Sequence, residues 1–103
     1  MNREILSAML YFDDKPVAAL SDIFQDQGTW FADYRLVPKL TGRLMDFIEF
    51  SRVHLSSGDF ADETYQGFET FYRTDRWTVE GPEFHQRIVG SPLFRETDLS
   101  WIA

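Results

Sequence analysis

The sequence predicts an α+β domain: a mainly antiparallel sheet of four to six strands with two helices packed on one face. The expected order is β-β-β-α-α-β-β with a final short strand. Three observations lead there. Strand-like apolar segments joined by short turns fill residues 4–37, a helical stripe of apolar residues follows over 39–56, and strand-like segments return after residue 76. Strands and helices do not alternate, which disfavours a parallel doubly wound sheet.

The first two segments, 4–12 and 17–24, are separated by Asp13-Asp14-Lys15-Pro16. Pro16 can pre-set a turn and either aspartate can bond the backbone within it, so a hairpin is expected. Neither alternating set of the first segment is clearly polar: Ile5, Met9 and Tyr11 oppose Leu6, Ala8, Leu10 and Phe12. Such a strand belongs in the middle of a sheet or is covered on both faces. Gln25-Asp26-Gln27-Gly28 forms the next turn. From Thr29 to Val37 the alternation is cleaner, with Trp30, Ala32, Tyr34 and Leu36 on one face and Phe31, Asp33, Arg35 and Val37 on the other. These three strands read as a meander.

Pro38 suits the first turn of a helix. Beyond it Leu40, Leu44, Phe47, Ile48 and Leu55 recur at helical spacing, widened by Met45, Phe50 and Val53. Ser56-Ser57-Gly58 provides a stop. A second helix is expected after Asp59 or Asp62 as cap, with Tyr65, Phe68 and Tyr72 on one stripe and Phe71 beside it. Gly67 is a cost within it. Trp77, Val79, Phe84, Ile88 and Val89 suit two short strands joined around Gly81-Pro82, and Gly90-Ser91-Pro92 breaks the chain again. A last strand is expected near Leu99–Ile102, with Trp101 docking the end.

Composition supports one packed domain over residues 1–103. Ten Phe, four Tyr and three Trp stand in 103 residues with no cysteine and a net charge of −7. Each buried aromatic removes about 150–250 Å² from water. A core is therefore within reach without disulfide or metal, and thiol nucleophiles and thiolate-ligated metals are excluded. The N-terminal apolar run is short, Glu4 interrupts its basic start, and Asp13-Asp14 stands where a signal peptide would carry small residues. The reading is a cytoplasmic protein without a membrane span.

The acidic balance argues against nucleic-acid binding and against docking on anionic lipid. The acids are uneven: residues 43–75 carry seven against three bases.

Motifs for catalysis are missing. His54 and His85 have no metal-ligand spacing, and ordinary surface or half-buried roles are the plainer reading. Asp13-Asp14 reads as a solvated turn. Asp46 and Glu49 can share a helix face, but an acid/base pair also needs a shared pocket and separated pKa values. No serine lies in G-x-S-x-G or S-x-x-K, and the six glycines are dispersed. The sequence therefore leans away from an enzyme and implies no cofactor, metal or catalytic residue.

What remains is the acidic second helix. Its plainer reading is acids at the cap and aromatics in the core. Its sharper reading is a partner-binding face of Asp59, Asp62, Glu63, Tyr65 and Glu69, where aromatics anchor and carboxylates attract a basic protein. Trp30 and Tyr34 offer a second anchor, better read as core. The functional expectation is a small acidic non-enzymatic protein-binding module. Inhibitors of the immunity or antitoxin type use this strategy. Two alternatives are a small-ligand or catalytic domain with an aromatic-lined pocket between sheet and helices, and a structural homo-oligomer.

Overall fold

The computed structural model describes residues 7–40, 42–55, 68–72, 76–82 and 84–103, with backbone alone at 54, 55, 69 and 72. The strands are β1 (Ser7–Phe12), β2 (Lys15–Asp26), β3 (Thr29–Leu36), β4 (Trp77–Gly81), β5 (Phe84–Arg87), β6 (Leu93–Phe94) and β7 (Asp98–Trp101). The helices are α1 (Arg43–Phe50), continued by a π-helical turn over Ser51–Leu55, and the single turn α2 (Glu69–Tyr72). The fold is α+β, but both counts depart from the expected four to six strands and two helices: the described residues hold seven strands and one helix longer than a single turn. Seven strands form one sheet in the order β5-β4-β1-β2-β3-β7-β6, and every pairing is antiparallel. The extra strand, β6, has two residues, too short to leave a period-two signature.

The meander forms as its sequence suggests, with one correction. The first turn is Asp13-Asp14 alone, at φ 56° and 69°, the left-handed pair of a type I′ hairpin. Pro16 lies inside β2 opposite Tyr11, where the register with β1 shifts. A proline at a bulge removes no ladder bond. β1 sits between β2 and β4, as its apolar character on both faces implies.

The sheet is strongly curled. The Trp30 and Phe84 rings meet at 5.5 Å although three strands separate β3 from β5. In a flat sheet those strands would lie about 19 Å apart. Trp101 Nε1–H donates to Gln86 Oε1 at 2.8 Å, and the Val89 amide donates to the Ile102 carbonyl at 2.7 Å, so β5 and its following loop close against β7. Two bulges, near Leu10–Tyr11 and between Ser21 and Phe24, supply the added twist.

The concave face carries Leu10, Leu20, Ala32, Trp77, Val79, Leu99 and Trp101, all nearly inaccessible. At one end α1 plugs the curl through Phe47, Ile48 and Phe50. Burying each of these side chains contributes about 1.5–3 kcal/mol. Phe47 packs on Phe71 at 5.2 Å and Trp77 at 6.3 Å, and Phe50 stacks on Phe68 at 5.0 Å. Two buried polar contacts tie β6 to the end of α1 and β4 to α2. The Phe94 amide donates to Ser51 Oγ at 2.9 Å, and Trp77 Nε1–H donates to the Phe71 carbonyl at 2.6 Å.

The expected helix over 39–56 begins later. Lys39 and Gly42 take φ of 69° and 80°, so Pro38 belongs to a loop and the first helical residue is Arg43. The expected second helix is described only at its end, as α2; the remainder lies outside the described residues. At β4, Gly81 is required by close approach, because a Cβ there would stand 2.8 Å from the Ser7 carbonyl and 3.3 Å from the Ala8 Cβ.

Candidate partner-binding face

Asp59, Asp62, Glu63 and Tyr65 lie outside the described residues, and Glu69 is described by its backbone at the start of α2. The acidic helical face predicted from sequence is therefore not placed. The other candidates are placed. Trp30 and Tyr34 point into the core. Asp13 and Asp14 are exposed in their turn. Asp46 pairs with Arg43 at 3.8 Å and Glu49 with Arg52 at 3.0 Å, so each faces an arginine. His85 is exposed on β5, its Nδ1 3.5 Å from Glu80 Oε2 on the neighbouring strand. His54 lies in the π-helical turn. Among the described residues no three His, Cys, Asp or Glu side chains gather as metal ligands, and no helix is long and apolar enough to cross a membrane.

The space between sheet and α1 is filled by the aromatic cluster. A partly exposed aromatic pair lies on the opposite, convex face. Asp22 takes φ 54° and is the extra residue of the β2 bulge. Aspartate tolerates this left-handed conformation better than most residues. Its insertion switches parity: Leu20 and Ile23 point inward, and Phe24 points out. Phe24 then pairs with Phe31 on β3, and the two rings stack at 5.2 Å with 16° between planes. Phe24 remains 48% exposed.

The same cross-strand row continues through Ser100 on β7 to Leu93 on β6. Beside it, Val89 and Ile102 are exposed at 63% and 55% and border a hollow of about 200 Å³ with Thr29, Ser91 and Leu93. Exposed Asp22 and Asp26 flank Phe24 along β2, exposed Asp33 follows Phe31 on β3, and exposed Glu96 lies in the β6–β7 turn. Arg35, also exposed, is next on that strand face.

Arg95 shows how this surface treats a cation. Its guanidinium lies 6.0 Å from the Phe31 ring centroid and binds Asp98 through Nε–Oδ1 at 3.2 Å and Nη2–Oδ2 at 2.6 Å. That pairing holds the Asp98 carboxyl below the usual carboxylate range and raises Arg95. From beneath, Tyr34 Oη–H donates to the Arg95 carbonyl at 2.6 Å and fixes this turn. Burial pushes the Tyr34 phenol up, opposed by the nearby Arg52 guanidinium.

Sequence reasoning missed Phe24 because the bulge inverts its parity. Phe31 did carry a signal, since it shares the strand face of Asp33 and Arg35. Comparison of the chain with protein-family models, with curated proteins and with solved structures finds no match.

Proposed function

We propose that this chain is a non-enzymatic protein-binding module that engages a basic partner through the convex face of β2, β3, β6 and β7. Inhibition of the immunity type is the class of task it suits. The observation carrying this reading is the stacked Phe24–Phe31 pair, with Phe24 48% exposed and Phe31 partly buried among exposed Asp22, Asp26 and Asp33. An aromatic pair supplies anchor area, and a ring can hold a guanidinium over its face, as Phe31 does with Arg95. The surrounding carboxylates and the net charge of −7 steer a cationic partner and speed encounter.

The test is capture from an extract of the producing cells, followed by kinetics with the purified partner. The partner should be basic, Phe24→Ser should raise its dissociation rate, and added salt should lower its association rate. A partner that binds Phe24→Ser as tightly as the parent chain would refute the reading. Light scattering addresses the homo-oligomer alternative: self-association lost in Phe24→Ser would assign this face to a second copy of the chain.

A further inference from the structure

A second site lies at the other end of β2. A cleft of about 530 Å³ opens between the β1–β2 turn and the β3–α1 link. Its wall is apolar, with Phe12, Pro16, Leu40 and Leu44, and its rim carries Lys15 and Lys39. These are the only two lysines in a chain of net charge −7, and the fold brings both to one cleft. Both are exposed, and among the described residues neither forms an ion pair.

One carboxylate, Asp13, shares the lining, so the cationic groups outnumber it two to one. Lys39 is moreover held at φ 69°, a conformation that lysine seldom adopts. Such outliers persist where surrounding structure imposes them, and they cluster at ligand sites. The wall is rigid where it matters: Pro16 is set in β2, and the Val37 amide preceding Pro38 is bonded to the Val17 carbonyl at 2.9 Å. Lys15 and Phe24 are nine residues apart on one strand, at most about 30 Å, and no residue of the cleft lies on the convex aromatic face.

We infer that the cleft binds a small amphipathic anion, its apolar body against Phe12, Pro16, Leu40 and Leu44 and its anionic head between the two ammonium groups. Ammonium groups act as point charges on flexible stems and accept a carboxylate or a phosphate head alike. Calorimetric titration of the whole protein with octanoate and with octyl phosphate distinguishes the two heads, and octylammonium serves as the charge-reversed control. Saturable binding of at least one anion is expected, with octylammonium at least ~10-fold weaker. Lys15→Gln/Lys39→Gln should lose about the same factor without lowering the melting temperature, because both side chains are exposed. Phe24→Ser should bind the anion unchanged, which separates this site from the partner-binding face. The inference is overturned if neither anion binds saturably, if octylammonium binds as well, or if the double variant retains full affinity.

Discussion

Phe24 points to solvent because one aspartate, Asp22, adopts a left-handed conformation and adds a residue to β2. Several single residues have comparably local effects. Gly81→Ala would drive a methyl into the Ser7 carbonyl, and chemical denaturation should show a loss of about 1–3 kcal/mol. Ser51→Ala leaves the buried Phe94 amide without its acceptor and should lose about 1–3 kcal/mol by the same measurement. Lys39→Gly, which relieves a positive φ, should stabilise by about 1 kcal/mol. Asp98 gives a pH dependence. Its folded pKa is lowered by Arg95, so its contribution is present above the unfolded pKa and is lost as pH falls below about 4. Asp98→Asn should flatten the acid limb of a stability-against-pH curve, and an unchanged limb would show that the Arg95 pair contributes nothing.

At the scale of elements, α1 is held by its apolar face plugging a curled sheet. Phe47 is fully buried between Phe71 and Trp77, so Phe47→Ala should lose about 3–5 kcal/mol, whereas Val89→Ala at an exposed loop position should change stability by less than about 0.5 kcal/mol. Equal losses at the two positions would contradict the assigned core. The stripe of Leu44, Phe47 and Ile48 made this helix legible in sequence, because periodicity reports a buried face directly. Its starting point was not legible. Pro38 suits a helix start, but Lys39 and Gly42 take backbone conformations that side-chain patterning does not encode. The β3 alternation was legible for the same reason as the helix, and Trp30, Ala32, Tyr34 and Leu36 do line the core side. Two-residue β6 and the Asp22 bulge were not, since one is shorter than a period and the other breaks the period itself.

For the whole molecule, aromatic content and acidity separate into two roles. Most described aromatics fill the curl between sheet and α1; the bulge turns Phe24 outside it, and the β3 alternation does the same for Phe31. Exposed Asp22, Asp26 and Asp33 lie at that end, and the two lysines gather at the far end of β2. The convex face was not legible in sequence, where the candidate was the acidic segment 59–69; its location depends on strand register, which pairs residues distant in sequence. The most direct measurement is the association rate with the captured basic partner, followed by stopped flow across ionic strength for the parent chain and for Asp26→Lys/Asp33→Lys. The proposed binding mode predicts a rate that falls steeply with salt, and a reversal variant that is slower at low salt and nearly salt-independent. A salt-independent rate for the parent chain, or identical rates for the two proteins at low salt, would contradict it.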